Sequence, residues 1–317
     1  MKPPYDITPE ILYRIKSISE KIGEINAHYL TRPSPQLRKK NRIKTIQASL
    51  QIEGNTLSTE QITAIIDTKR IIGPKKDVLE VTNAIKAYER IGKFKPASEK
   101  DFLNAHKMLM NGLIQRPGNY RSKSVGIAKE QNIQHVAPPA VNVPYLMKDL
   151  FQYLNDKQEL SLIKSCVFHY EMEFIHPFED GNGRMGRLWQ TIILMDEYPV
   201  FEFLPFETMI SHTQKEYYKA LAKSDKAGKS TAFIEYMLGA IDSSFDQMLN
   251  FNQRIFTEAD RLDYFMNTGP KEFTRKEYMN VFKSISSATA SRDLKSGVDS
   301  GLFIKSGTHN KTKYYLK

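Results

Sequence analysis

The chain has 317 residues, 26% charged and 40% hydrophobic, which is an ordinary globular composition with room for two or three domains. No apolar run is long enough to span a bilayer, the first residues lack a secretion signal, and a single cysteine, Cys166, excludes an internal disulfide. These features predict a cytoplasmic protein without a membrane segment, and the formal net charge of +10 suits nucleic acid, phosphates or an acidic partner without deciding among them.

Helix signals dominate the first hundred residues. Proline follows a capping residue at two places, and Ser58 with Gln61 forms a capping box, flanked by Leu57 and Ile62 at the spacing of a hydrophobic staple. The predicted helix starts are Thr8-Pro9, Ser34-Pro35, Ser58, Asp77 and Ser98. The second helix should end at Ile52 or Glu53, because Gly54 follows.

The middle of the chain changes pattern and then returns to helices. Turn residues and short β-type pieces such as 120–127 fill the stretch 111–144, which predicts a loop carrying a β-hairpin. The helices predicted next begin at Pro144, at Ser161 and just after Gly183, and others cover 213–224 and 231–249.

The last sixty residues read as a separate small module. Thr274 and Glu277 make another capping box, and Ser287 to Ser300 reads as a helix that Gly301 closes. Two short strands are predicted at 302–305 and 313–316, around the turn 307–310. Helices followed by a hairpin predict a small winged-helix-like domain.

The segment from His176 to Arg187 gathers residue types suited to phosphate chemistry. Gly181-Asn182-Gly183 can form a turn whose N–H groups point at an anion, and a helix start directly after it adds its positive end. Arg184 and Arg187 share one helix face and can reach one polyphosphate. Asp180 is a suitable Mg²⁺ ligand, and His176 could take a proton from an attacking hydroxyl.

Each of these residues taken singly is ordinary: an Asn-Gly turn, a surface arginine pair, a histidine with satisfied hydrogen bonds. Packing alone, however, gives no reason to place two arginines, two acids and two glycines around one turn. The order and the density of the segment therefore favour a nucleotide-processing active site.

The segment resembles the signature of the Fic (Fido) family, H-P-F-x-[D/E]-G-N-[G/K]-R-x-x-R, at every fixed position. The resemblance implies a mainly α fold, a Fic helical core with a β-hairpin flap, and protein adenylyltransferase (nucleotidyltransferase) activity: AMP passes from ATP to a Ser, Thr or Tyr hydroxyl of a target protein, and pyrophosphate leaves. It also implies site roles, which are His176 as general base, Asp180 as Mg²⁺ ligand, Gly181, Asn182 and Gly183 as anion hole, and Arg184 and Arg187 on the β- and γ-phosphates. Glu179 falls at the variable position, and Phe178 is expected to anchor the loop in the core.

A second resemblance lies upstream, where Ser49 to Asn55 is similar to the family's inhibitory motif, [S/T]-x-x-x-E-[G/N]. The resemblance implies that Glu53 pairs with Arg187, so that ATP binds only with its γ-phosphate misplaced. A glutamate at a helix end would be unremarkable alone, and it is the signature downstream that favours the inhibitory interpretation.

Weaker matches concern the flap and the adenine contacts. The flap, which docks the target segment, would begin with Arg121, Val125 and Ile127 and end with the stretch from His135 to Pro139. The expected target contacts are Gln134, His135 and Val136. Tyr217 and Asp225 match positions near adenine, although helix packing explains them equally well. His106 and His169 are expected to be structural hydrogen-bonding residues.

The resemblance covers roughly residues 35–245 and suggests three regions: an N-terminal helical region (1–95, with the inhibitory helix at about 35–54), the Fic core (96–250) and the winged-helix-like domain (255–317). Family members often dimerise, so the resemblance also implies a homodimer. One alternative is an enzyme in which Glu53 also helps to remove AMP. Another is a DNA-binding regulator, because Ser286 to Leu294 resembles a recognition helix with Arg292 and Lys295 near phosphates. The acidic residues Asp293 and Asp299 on that helix weaken the case for DNA binding.

Overall fold

The structure, a computed structural model, describes residues 2–28, 35–123, 126–129, 132–253, 258–282, 285–308 and 312–316. The chain divides into two compact units, Met1–Arg32 with Lys39–Leu249 and Pro33–Arg38 with Asn250–Lys317. Each unit has its own hydrophobic core. None of the helices in the described ranges is both long and apolar enough to cross a membrane.

The first unit is built almost entirely of helices, although residues 35–38 at the start of one of them and 250–253 at the end of another are assigned to the second unit. The helices are, in chain order, α1 (Pro9–His28), α2 (Pro35–Ile52), α3 (Thr59–Ile66), α4 (Lys75–Glu89), α5 (Glu99–Leu109), α6 (Val143–Tyr153), α7 (Ser161–Ile175), α8 (Asn182–Glu197), α9 (Glu207–His212), α10 (Gln214–Ala227) and α11 (Thr231–Gln253). The predicted capping box of α3 is confirmed, since the Ser58 side chain accepts from Gln61 N and the Gln61 side chain accepts from Ser58 N. The predicted start of α2 at Ser34 lies outside the described residues.

Helices α7 and α8 pack against each other at the centre of this unit, and both are buried around most of their circumference. Trp189 of α8 is fully buried and meets Phe102 of α5 edge-on, with ring centroids 5.1 Å apart. Cys166 is buried in α7, and burial raises the pKa of its thiol to about 12, which fits inert packing. The loop between α7 and α8 is thereby held on a rigid base.

The predicted β-hairpin is confirmed, but it starts later than expected. Strands β1 (Gly126–Lys129) and β2 (Asn132–Val136) pair antiparallel, with a bulge between Ile127 and Ala128. Residues 120–123 are not strand, because Arg121 makes its backbone hydrogen bond to Pro177 rather than to a neighbouring strand. Val125 lies outside the described residues.

The second unit contains α12 (Glu258–Thr268), α13 (Arg275–Val281) and α14 (Ser287–Asp299), with strands β3 (Glu272–Phe273), β4 (Phe303–Ser306) and β5 (Lys313–Leu316). The strands form a sheet in the order β3-β5-β4, all antiparallel. The capping box of Thr274 and Glu277 is confirmed. The sequence did not reveal β3, because two residues are too few for a period-two pattern. Part of the predicted turn at 307–310 lies outside the described residues.

Candidate active site

A cavity of about 320 Å³ lies at the C-terminal end of α7 and the N-terminal end of α8. It is lined from α7 and the following loop, from α8, from α10 and from Glu53 just beyond α2. The lining residues are Glu53, Glu173, Phe174, His176, Glu179, Asp180, Gly181, Asn182, Gly183, Arg187, Tyr217, Tyr218, Leu221, Ala222 and Asp225. Most of the residues that the sequence singled out therefore meet in one place.

His176 ends α7 in the left-handed backbone region, with φ 50° and ψ 61°. Its N–H donates to Met172 O at 2.9 Å, which closes the last turn of the helix. The left-handed conformation costs a non-glycine residue about 1–2 kcal/mol, so the surroundings must hold it there. The bend turns the chain toward the cavity and sets the imidazole at its wall.

The loop after His176 is closed by Asn182. The Asn182 side chain accepts from Phe178 N at 2.9 Å and donates to Phe178 O at 3.0 Å. Gly181, at φ 86°, is the N-cap residue, and α8 begins at Asn182. The predicted helix start after Gly183 was therefore wrong: this side-chain clamp ends the turn at Gly181 and leaves Asn182 and Gly183 in the first helical turn.

His106 and Phe178 also hold this loop in place. The two rings stack with centroids 3.6 Å apart, and Phe178 is fully buried, which confirms it as a core anchor. Gly118 N donates to His106 Nδ1 at 2.9 Å, so Nε2 carries the proton and donates to Asp180 O at 3.0 Å. Burial lowers the pKa of His106 to about 4, so the ring stays neutral and keeps these two roles.

The two arginines of the segment occupy different environments. Arg184 is buried and pairs with Glu80 of α4 at 3.1 Å and with Asp180 at 2.9 Å. It is absent from the described cavity lining, unlike Arg187. Glu80 in turn accepts from Asn55 at 2.9 Å, so Arg184 is connected to the segment that follows α2.

Arg187 is fully buried and bonded to the end of α2. Its Nη2 donates to Glu53 Oε1 at 2.7 Å and to Ser49 O at 2.8 Å, and its Nε donates to Ser49 Oγ at 3.0 Å. The Glu53 carboxylate lies directly over Gly183: a Cβ there would be 2.4 Å from Glu53 Oε1. Glu53 thus occupies the face of the first turn of α8 where an anion would bind.

The far end of the cavity is lined by α7 and α10. Tyr217 bonds to His169 Nε2 at 3.1 Å, and Asp225 accepts from Tyr170 at 3.0 Å. His169 Nδ1 also lies 2.7 Å from Gln190 Oε1, which agrees with the structural role expected of this histidine. Glu173 has little exposure, and burial together with the negative charge of Glu53 raises the pKa of Glu173 to about 7, although Arg187 acts in the opposite direction.

The hairpin lies on the α10 side of the cavity, since β2 and α10 are neighbours. Gln134, His135 and Val136 all fall in β2, and their side chains lie outside the described part of the structure. Arg121, at the predicted start of the flap, is buried and bonds to the loop that carries His176.

Three residues around the cavity were missed from the sequence: Ser49, Glu80 and Glu173. Ser49 was available as the first residue of the inhibitory motif, but nothing indicated that it holds Arg187 directly. Glu80 and Glu173 are glutamates in helices, and an unpaired glutamate is expected to face solvent. Their burial depends on which helices pack together.

Comparisons with known proteins point to one family. A model of the Fic/DOC family matches residues 96–194. The crystal structure of a Fic family protein from Desulfovibrio desulfuricans G20 superposes with a TM-score of 0.76 at 40% identity, covering 100% of this chain and 98% of that chain.

Two relatives carry the name of an activity. A protein adenylyltransferase Fic from Drosophila mojavensis is 25% identical over 74% of this chain and 47% of its own length. The protein adenylyltransferase fic-1 of Caenorhabditis elegans is 29% identical over 64% of this chain and 42% of its own. The chain therefore spans about half the length of the relatives so named.

Proposed function

The chain belongs to the Fic family, and from this we propose that it is a protein adenylyltransferase, which moves AMP from ATP to a Ser, Thr or Tyr hydroxyl of a target protein. The observation that carries the proposal is that His176, the turn 181–183 and Arg187 line one cavity. The names of the Drosophila and Caenorhabditis relatives support the same activity.

In this proposal the first turn of α8 binds the phosphates of ATP. Its free N–H groups and the positive end of the helix face the cavity, and Gly183 leaves room for close approach. Arg187 would hold the terminal phosphates. Arg184 would act through its ion pairs with Glu80 and Asp180, by fixing Asp180 and the loop. The base would lie toward Tyr217 and Asp225, at the α10 end.

Mg²⁺ fits Asp180. The carboxylate lines the cavity, its side chain is 50% exposed, and Oδ1 is oriented by Arg184. Mg²⁺ is commonly bound by one or two carboxylates together with substrate phosphates. Bound with ATP, the ion would neutralise charge that develops on the departing pyrophosphate.

His176 would act as general base. It accepts the proton of the target hydroxyl, the hydroxyl oxygen forms a bond to the α-phosphorus, and the bond from that phosphorus to the bridging oxygen breaks to release pyrophosphate. Such transfers depend on positioning and on charge neutralisation more than on covalent help from the protein. The fixed loop and Arg187 supply both.

We further propose that Glu53 inhibits the enzyme by occupying Arg187. The ion pair of 2.7 Å between Glu53 and Arg187 and the position of the carboxylate over Gly183 support this role. Glu53 then occupies both groups that would bind the phosphates, which are Arg187 and the first turn of α8. We also propose that the chain has three regions: an N-terminal region (1–95), a core (96–250) and a winged-helix-like domain (255–317). A cytoplasmic location, self-association and the removal of AMP by Glu53 stay predictions, as do the target contacts at 134–136.

The test is the intact mass of the protein and of candidate targets after incubation with ATP and Mg²⁺. We expect the Glu53→Gly variant to gain adenylyl groups faster than the unmodified chain, and the double variant Glu53→Gly with His176→Ala to gain none. The absence of any adenylyl adduct on protein in all samples would refute the activity.

A second candidate function is binding of duplex DNA by the second unit. An open groove beside α13 and α14 carries four exposed cations, Arg275, Lys276, Lys295 and Lys305, and one acid, Asp299. Asp293, which counted against DNA, is buried and forms a two-point ion pair with Arg261 at 2.6 and 2.8 Å. It therefore presents no charge to a phosphate backbone, and the remaining balance of the groove favours a polyanion.

A further inference from the structure

Arg121 is a buried arginine whose guanidinium bonds to carbonyl oxygens of the main chain. It lies shortly before β1 and is 3% exposed. Its Nε donates to His176 O at 2.7 Å, Nη1 to Lys123 O at 2.9 Å, and Nη2 to Pro138 O at 2.5 Å and Ile175 O at 3.3 Å. Its backbone N–H donates to Pro177 O at 2.9 Å.

These bonds connect two structural elements that are far apart in the sequence. Ile175, His176 and Pro177 are the residues where α7 ends and turns into the candidate catalytic loop. Lys123 and Pro138 lie on the two sides of the β1–β2 hairpin, before its first strand and after its second. One side chain therefore joins the base of the hairpin to the peptide of His176.

The chemistry at the end of α7 explains why an arginine is needed there. The last carbonyls of a helix have no partner within the helix and carry partial negative charge, and the last turn of α7 contains no basic residue of its own. Arg121 brings both the donors and the charge from outside. Lysine has the charge, but its single ammonium cannot present a planar fork to several fixed acceptors.

The left-handed backbone of His176 depends on such support. A residue at φ 50° tends to relax, and relaxation would swing the imidazole away from the cavity wall. The bonds from Arg121 to the carbonyls on both sides of that residue restrict this movement. A shift of the loop would also move the base of the hairpin, since the same guanidinium holds both.

We propose that Arg121 is a positioning residue for AMP transfer, which sets His176 against the substrate and couples its placement to the hairpin. The inference rests on the proposed function, because it concerns the rate of that reaction. Arg121 does not line the described cavity and takes no part in holding ATP.

The experiment compares Arg121→Lys and Arg121→Ala with Arg116→Ala, all in the full chain carrying Glu53→Gly. Arg116 is an exposed arginine on the same connecting segment, so its removal is the matched control. The readouts are the rate of self-modification at saturating ATP, from intact mass, the dissociation constant of a non-hydrolysable ATP analogue, and the melting temperature.

We expect both Arg121 variants to lose at least about tenfold in rate, since small misplacements of reacting groups are costly, while the analogue binds within about threefold of the parent. Millimolar guanidinium ion should partly restore Arg121→Ala, and ethylammonium, which lacks the planar fork, should not. Rates and analogue affinity that fall in parallel with the melting temperature would overturn the positioning role, as would a full rate in Arg121→Lys.

A second measurement does not depend on activity. Hydrogen exchange in peptides that cover 126–136 and 172–177 should speed up together in Arg121→Ala and stay unchanged in Arg116→Ala. Faster exchange in one of the two segments alone would refute the coupling. An inactive Glu53→Gly parent would count against the proposed function, and the exchange result would still decide the inference about Arg121.

Discussion

Glu53 and a terminal phosphate of ATP would need the same partners. The carboxylate bonds to Arg187 at 2.7 Å and lies against Gly183 at the start of α8. A charge-assisted bond from a fully buried guanidinium is stronger than a neutral one, and leaving that guanidinium unpaired is costly. Under the proposed function, ATP would therefore bind productively only after Glu53 is displaced.

Glu53→Gly should raise AMP transfer, including self-modification, by well over tenfold, because it frees Arg187 for phosphate and restores the alignment for attack (small misplacements cost ~10²-fold). Rates come from intact mass after incubation with ATP and Mg²⁺. Glu89→Gly, which removes another glutamate at a helix end, is the matched control and should leave the rate unchanged.

Glu53→Gly combined with Arg187→Ala should be inactive, since the freed arginine is what the first change supplies. A folded Glu53→Gly protein with the rate of the unmodified chain, judged by its melting temperature, would show that residues 49–55 do not inhibit.

His176→Ala should abolish transfer and leave ATP binding nearly intact, because a general base contributes about 10²–10⁴-fold to rate and little to the affinity for phosphate. The measurement pairs single-turnover transfer with calorimetric titration of an ATP analogue, in the Glu53→Gly background. Transfer at the parental rate would mean that another group accepts the proton.

Glu173 should make the stability of the protein depend on pH. Burial and the charge of Glu53 raise the pKa of Glu173 to about 7, whereas a glutamate in an unfolded chain titrates near ~4.3. The folded state thus binds the extra proton between these values, and its stability falls as pH rises through about 7. A tenfold difference in proton affinity between the folded and unfolded states corresponds to about 1.4 kcal/mol.

Glu173→Gln removes this titration. The melting temperature of the variant should therefore increase relative to that of the unmodified chain as pH rises from about 5 to 8. Glu216→Gln, an exposed glutamate on α10, should show a constant difference over the same range. A constant difference for Glu173→Gln as well would mean that the carboxyl titrates normally in the folded state.

Among the elements, α4 joins two parts of the site through one side chain. Glu80 bonds to Arg184 in α8 and to Asn55 after α2, and both members of the ion pair are nearly inaccessible. Removing one partner of a buried pair typically costs about 3–5 kcal/mol, and Arg184 keeps Asp180 as a second partner.

Glu80→Gln should therefore lower the free energy of unfolding by about 3 kcal/mol, the lower end of that range. Urea unfolding measures the change, and Glu89→Gln, on the exposed side of the same helix, should stay within ~0.5 kcal/mol of the unmodified chain. An equally small effect for Glu80→Gln would mean that Arg184 is held by Asp180 alone.

Element starts governed by local chemistry were predictable from the sequence. The capping boxes at Ser58 and Thr274 are local hydrogen bonds, and both form as expected. The start of α8 was misplaced because the clamp from Asn182 to Phe178 depends on the shape of the whole loop. Strand β3 exists through its pairing with β5, and nothing in its two residues indicates that partner.

For the site, the sequence located the residues that carry a motif, including the distant pair of Glu53 and Arg187, and missed buried charged residues that belong to no motif. The residues from His176 to Gly183 lie together in the chain and in space, and the motif identified them in one step. Glu80 reaches Arg184 from another helix, and Glu173 is surrounded by groups from other elements, among them Tyr217 of α10 and Arg187 of α8. Long-range burial of a charged group leaves no pattern in the local sequence.

At the scale of the whole molecule, the second candidate function predicts salt-dependent binding of duplex DNA by the full chain. Reversing Lys276 and Lys295 to glutamate should weaken binding at least about tenfold and reduce the slope of log affinity against log salt by about 2. Fluorescence anisotropy of a labelled mixed-sequence duplex measures both quantities, and AMP transfer should not change.

The matched control reverses Lys16 and Lys86, which are exposed lysines in α1 and α4 of the first unit. It alters the net charge equally and should leave DNA affinity nearly intact. Equal losses in both double variants would attribute binding to overall charge, and no binding by the unmodified chain at low salt would remove DNA as a partner.

Ser49 orients Arg187, whereas Glu53 occupies the side of it that would meet a phosphate, so the two effects come from different residues. Ser49 binds Nε and Nη2 through its hydroxyl and its carbonyl, and neither contact involves Glu53. Withdrawal of the glutamate would then leave a guanidinium already oriented, which loses little conformational entropy when it meets a phosphate. In an activated form of this protein, the phosphate site at Arg187 would already have its binding geometry and would need no reordering. A partner that displaced Glu53 would therefore expose a site ready to bind ATP.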